Sequence, residues 1–246
     1  MATRATRSAS RRVRLVEAVA TGPLGALSHD ELGVIFDGLA DPLEPVVAVA
    51  LSSTCLGLRT PLQAALEVLR QRFYLAKKLC RKFGCSSCAN LRDAETLSCE
   101  TQLTANDVAT LGMILRWLPK LKKLGVCIQG GLSTLAAALR KHSTLARVVI
   151  CGLGDEDMAL LMANLSKNEF KALRAICFER NTLSDAACAH VIAALDAGAL
   201  PEIVAIELVG VSPAASTALT ESVVRAVVRR LGLDPKLIPT LVEKWK

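Results

Sequence analysis

The residues best equipped for chemistry gather at Cys80-x4-Cys85-x2-Cys88, with Cys99 beyond them. Two thiolates in C-x-x-C spacing can hold two corners of a tetrahedral zinc ion, but a structural site needs a second close pair. Only single cysteines flank this one. A redox C-x-x-C opens a helix beside a strand-helix-strand pattern, whereas this one falls between a helical pattern and a strand pattern. The three histidines, His29, His142 and His190, form no recognisable nucleophile arrangement with a Ser or Cys. Gly152-Leu153-Gly154 follows a strand pattern but lacks the further Gly or Lys of a phosphate cradle. Asp155, Glu156 and Asp157 cluster at a helix start, where the dipole favours acids, and no other ligands converge on them. The expectation is a non-enzyme with no metal and no cofactor.

The elements behind these residues follow one spacing that recurs five times. It reads Ala94-x-x-Leu97-x-Cys99, Leu121-x-x-Leu124-x-Val126, Leu145-x-x-Val148-x-Ile150, Leu173-x-x-Ile176-x-Phe178 and Ile203-x-x-Ile206-x-Leu208. The starts lie 27, 24, 28 and 30 residues apart. Apolar residues at positions 1, 4 and 6 make a short strand with one buried edge, and the residues between them face out. A helical pattern follows each strand. Leu132, Leu135, Ala136 and Leu139 recur at i, i+3, i+4 and i+7, as do Met158, Leu161, Met162 and Leu165. Ala187, Val191 and Leu195 continue the rhythm, as do Val223, Val224, Val227 and Val228, and Val108, Leu111 and Leu115 precede the second strand. Gly131, Gly154 and Gly198 punctuate the units, with Asp155 and Ser184 as expected N-caps. No unit can bury its apolar face alone, so strands must stack on strands and helices on helices.

This pattern resembles leucine-rich repeat proteins of the helix-bearing, ribonuclease-inhibitor-like type, whose repeat carries L-x-x-L-x-L at a period of roughly 20–29 residues. The segment Leu173 to Leu183 fits best and alone among the units carries the family's Asn, at Asn181. The resemblance implies an α/β solenoid of about five strand-helix units with parallel strands. It also implies a concave face where Lys122, Lys123, Arg147, Arg174, Glu179, Arg180 and Glu207 stand side by side. Arg on such a face suits carboxylate recognition on a protein partner. Basic residues without stacking aromatics make a poor single-strand platform, so no nucleic acid is expected.

Composition narrows the classes further. Of 246 residues 52% are hydrophobic but only 3% aromatic, so the core must be aliphatic. No uncharged stretch reaches the roughly 18–20 apolar residues of a membrane span, and no membrane association is expected. Nine cysteines with no secretory h-region fit a reduced, intracellular protein, cytoplasmic or nuclear. The net charge of +7 is concentrated in residues 1–20 and 59–82, which leaves the remainder of the chain slightly acidic.

In chain order, residues 1–23 read as a basic, disordered tail, whose Arg, Ser, Thr and Ala content also matches an organelle transit peptide. Residues 24–60 carry a second resemblance. Leu27, Asp30, Ile35, Phe36 and Leu39 occupy positions similar to those of the first helix of an F-box, with Ser28 where that family has Pro. Ser28-x-x-Glu31 supplies a capping box for that helix. Pro42 and Pro45 make a turn, Val46–Leu51 an apolar helix, and Ser53–Arg59 resembles the F-box's closing helix. Residues 61–90 read as a basic linking helix, Leu62 to Lys82, and a Cys-containing loop. Leu62, Leu66, Leu69, Phe73 and Ala76 line its apolar face. The repeat array spans 91–231, with Gly232 and Pro235 ending its last helix, and residues 232–246 read as a C-terminal cap.

The F-box resemblance implies docking on the Skp-type adaptor of a cullin ubiquitin ligase through Leu27, Asp30, Ile35, Phe36 and Leu39. The repeat array would then choose the substrate protein. The alternative is a plain repeat scaffold whose N-terminal helices only shield the first repeat from water, as solenoids require.

Overall fold

A computed structural model describes residues 27–54, 60, 62–140, 142–163, 170–181 and 183–245. The basic tail, Cys55–Arg59 of the expected closing helix, and Leu165 lie outside the described residues. The chain divides into two compact units, Met1–Lys77 and Lys78–Lys246.

The first unit is helical. α1 (His29–Leu39) starts where the sequence places it: the Ser28 hydroxyl accepts the Glu31 N–H at 3.2 Å, and the Glu31 carboxylate accepts the Ser28 N–H at 2.8 Å. A turn follows, in which the Leu43 N–H donates to the Asp41 carboxylate at 2.8 Å, and α2 (Val46–Thr54) leaves it. α3 (Gln63–Lys82) is the basic helix. Leu32, Phe36 and Ala40 of α1 pack with Ala48, Leu62 and Leu69 as one core, with Leu27, Leu51, Ala65 and Leu66 around it.

The second unit opens with the end of α3 and a short helix, α4 (Cys88–Asp93). Five strands follow, β1 (Thr96–Thr104), β2 (Lys123–Gln129), β3 (Arg147–Cys151), β4 (Ala175–Glu179) and β5 (Ala205–Leu208). They pair in sequence order into an all-parallel sheet. The inward positions read from sequence are rows of this sheet. Leu97, Leu124, Val148, Ile176 and Ile206 are register partners, and so are Cys99, Val126, Ile150, Phe178 and Leu208. All are buried except Ile206 and Leu208, which are half-buried in the last strand.

Backbone hydrogen bonds repeat with the same period. The Glu95 carbonyl accepts the N–H groups of both Lys122 and Lys123, and the Lys122 carbonyl accepts those of Ala146 and Arg147. Ala146 then serves Arg174 and Ala175, and Arg174 serves Val204 and Ala205, all at 2.8–3.1 Å. One geometry used at four successive steps makes the second unit solenoid-like.

Helices cover one face of the sheet: α5 (Ala105–Ile114), α6 (Leu132–Arg140), α7 (Asp155–Ala163), α8 (Asp185–Asp196) and α9 (Pro213–Leu231). Their buried faces contain Leu111, Leu135, Met158, Val191 and Val224, each removed from water for roughly 1.5–3 kcal/mol if fully buried. Gly232, left-handed at φ 63°, ends α9, and α10 (Ile238–Trp245) folds back so that Val242 meets Val224 and Val228. Among the described residues no helix is long and apolar enough to cross a membrane.

Three details differ from the sequence reading. Cys88, expected in a loop, is the first residue of α4, whose N-cap Ser87 accepts the Asn90 N–H at 3.1 Å. β1 runs to Thr104, past the expected Cys99, because an irregularity between Cys99 and Gln102 lets Leu103 rejoin the inward row beside Ile128. Asp155 is the first residue of α7 and does not cap it. Its carboxylate instead accepts the N–H of Ser184 at 2.8 Å and the Ser184 hydroxyl at 2.5 Å, tying α7 to the cap of α8. Asp185 repeats the device toward Ser212, the cap of α9, at 2.8 Å.

Candidate interaction groove

Residues on a strand alternate between faces, so the positions between the buried rows stand on the open side of the sheet. They form three rows there. Thr96, Lys123, Arg147, Ala175 and Ala205 make the first; Ser98, Gly125, Val149, Cys177 and Glu207 the second; and Gln102, Cys127, Cys151 and Glu179 the third. The second row is low in the middle because Gly125 has no side chain. A groove of about 380 Å³ results, with Ser98, Gly125 and Val149 as floor. Lys123 and Arg147 line one side, and Glu100, Cys127, Cys151, Glu179 and Arg180 the other.

All seven residues expected on this face are exposed, but the groove gathers only four of them, Lys123, Arg147, Glu179 and Arg180. Lys122 pairs with Glu95 at 3.0 Å. Arg174 precedes β4 and Glu207 sits on β5, and neither lines the groove. The groove carries both signs, with Lys123, Arg147 and Arg180 against Glu100 and Glu179. Arg180 adopts φ 51°, a turn that carries its side chain off the end of β4.

Sequence reasoning missed Glu100, Cys127 and Cys151. The two cysteines fall at the ends of repeat strands, and both are half-buried on the open face. The available signal was parity: they occupy position 7, one step beyond the buried position 6. Cys177 shares that face but is buried, and its thiol donates to Glu179 Oε1 at 3.4 Å. Burial, followed by the Glu207 and Glu179 carboxylates, pushes that thiol up to about 12.

The other candidate residues make local hydrogen bonds. Cys80 donates to the carbonyls of Ser87 at 3.1 Å and Cys85 at 3.3 Å. Burial first, then nearby Cys88 and Cys85, push its thiol up to about 11. A thiol that donates to two carbonyl oxygens is held in its protonated form. Cys99 points elsewhere, to Lys82 O at 3.4 Å and Thr101 O at 3.3 Å. Among the described residues no group of three or more His, Cys, Asp or Glu could hold a metal ion. His142 is pinned to Leu118 O at 3.2 Å, and burial lowers its pKa. Asp157 accepts the Gly154 N–H at 3.3 Å, a capping role.

In the helical unit, Asp30, Ile35 and Leu39 are exposed, Leu27 is half-buried against the core, and Phe36 is only 1% exposed. Phe36 thus packs inside, where no docking partner can touch it. Val34, Val46 and Val47 are also exposed on α1 and α2.

Comparison with family models finds no match, and comparison with curated proteins finds none either.

Proposed function

We propose that this chain is a non-catalytic protein-interaction protein. In this reading the second unit is a short leucine-rich repeat array and the helices of residues 24–60 form an F-box-like module. The protein is then the substrate receptor of a cullin-type ubiquitin ligase. The groove over Gly125 carries the proposal: a recess on the open sheet face, lined by Lys123, Arg147 and Arg180 against Glu100 and Glu179. Recognition there needs no reacting group, only a segment of complementary charge and shape. Proximity to the ligase supplies the rest.

The adaptor half of the reading draws on Val34, Ile35, Val46 and Val47, apolar side chains left in solvent on α1 and α2, since apolar faces of this kind mark interaction sites. The burial of Phe36 favours the second reading, in which these helices only cap the repeats. A pull-down against the host's Skp-type adaptor separates the two. Binding that Ile35→Asp abolishes without changing the melting curve supports the F-box-like reading. A folded wild type that captures no adaptor reduces the helices to a cap.

A further inference from the structure

Two groove residues, Cys127 and Cys151, have a geometry that selects what they can hold. They are register partners on β2 and β3, both are free thiols, and both line the groove. Neighbouring strands run roughly 4.8 Å apart, and register partners project to the same face, so the two sulfurs can sit side by side at about that separation. A disulfide needs Cβ atoms roughly 3.5–4.5 Å apart and sulfurs at about 2.05 Å, which requires the ladder to compress. Two metal–thiolate bonds near the roughly 2.3 Å of zinc–sulfur, placed in line, span roughly 4.6 Å, close to the spacing of the two strands.

We propose that Cys127 and Cys151 form a two-thiolate site for a soft monovalent cation of the copper(I) class, held between β2 and β3 on the groove wall. Thiolates select soft ions of this kind over harder divalent ones. As each metal–sulfur bond forms, its thiol proton passes to solvent, and no electron is transferred. Two thiolates around one monovalent cation leave a single negative charge. Lys123, Arg147 and Arg180 line the same groove and offset it, against Glu100 and Glu179. Cys177 stands one strand further on, buried and engaged with Glu179, so it is not a third ligand. The site stands whether or not the groove also receives a protein segment.

The full chain, reduced and kept anaerobic, is titrated with copper(I) against a chromophoric copper(I) chelator. It is then alkylated, and mass spectrometry reads which cysteines are protected. The first equivalent should shield Cys127 and Cys151 together in the wild type, a result that depends on no variant folding. Cys127→Ser and Cys151→Ser should each weaken that equivalent by about 100-fold or more, since even partners outside the ligand shell are worth roughly 10–100-fold. Cys177→Ser should leave it in place. Shielding of Cys80, Cys85 and Cys88 by the first equivalent, with the pair still open to alkylation, overturns the proposal. Undiminished affinity in both serine variants does the same.

Discussion

The carboxamide of Asn181 reaches back to the preceding turn, where its Oδ1 accepts the Leu153 N–H at 2.7 Å. Its Nδ2 meanwhile donates to Ile150 O at 3.1 Å. One side chain thus satisfies a donor and an acceptor at the end of β3 that the strand ladder leaves over. Asn181→Ala strands both groups, and an unpaired backbone group costs about 1–3 kcal/mol. The urea midpoint should fall accordingly. Asn181→Asp keeps the acceptor, loses the donor and turns a carboxylate oxygen toward Ile150 O, so it should be no better than Ala. A midpoint unchanged in both variants would mean that water replaces the carboxamide at no cost.

Gly152, next to Cys151, is held at φ 87°, and a Cβ built there would stand 2.6 Å from Ile128 O. Gly130 has a similar φ of 82°, but its Cβ would meet only Ala105 Cβ at 4.0 Å. The pair separates strain from collision. Gly130→Ala should lose roughly 1–2 kcal/mol, the left-handed cost alone. Gly152→Ala should lose clearly more, because backbone must move to admit the methyl. Equal losses in denaturant titrations would show that β2 yields freely at Ile128.

The repeat was legible because burial writes itself into spacing. Positions 1, 4 and 6 must be apolar if a short strand is to face a helix layer, and helices betray their faces by the same logic. The register followed at once: partners such as Leu124 and Val148 are those that the spacing aligns. Contacts between side chains of successive units were not legible. Nothing at Asp155 says that its carboxylate serves Ser184 rather than its own helix, since acids at a helix start suit either use. Phe170 and Leu200 take positive φ in the turns before β4 and β5, although their residue types give no hint of it. Cys127 and Cys151 do not stand out in the sequence for a related reason: a small thiol fits a core and an open face equally well, and only strand parity decides.

The Asp155–Ser184 and Asp185–Ser212 ties are acid-sensitive. Hydrogen bonds from Ser184 hold the Asp155 carboxyl below the usual carboxylate value, and those from Ser212 do the same for Asp185. Groups with depressed folded values stabilise above the unfolded value, and the contribution disappears as pH falls through the folded one. Stability should therefore drop as pH falls below about 4, and it should drop less steeply in an Asp155→Asn, Asp185→Asn double variant. Melting temperatures from pH 7 down to 2 check this. Parallel curves for wild type and variant would remove the two carboxylates from the acid response.

Phe36 and Ile35 are neighbours in sequence with opposite expected effects. Phe36→Ala empties a site in the core formed with Leu32, Leu62 and Leu69, for a loss of about 3–5 kcal/mol. Ile35→Asp changes a residue 37% exposed and should stay within about 1 kcal/mol. Chemical denaturation followed by circular dichroism reads both. A mild Phe36→Ala would contradict the packing of the helical unit.

The groove is best tested at its floor. A Cβ on Gly125 would lie 3.1 Å from Ser98 Oγ, the end of a rotatable side chain, and the residue is not held at positive φ. Larger side chains can therefore enter from the open face with the ladder intact. Gly125→Leu should fill the recess between Lys123, Arg147 and Cys127 and change stability by about 1 kcal/mol or less. If a protein segment binds there, Gly125→Leu and the charge reversal Arg147→Glu, Arg180→Glu should lose the same proteins from quantitative affinity capture, one by blocking shape and the other by reversing charge. Agreement between two unrelated perturbations isolates the groove from the rest of the surface. A Gly125→Leu variant that stays folded and captures the wild-type set would move recognition off this face.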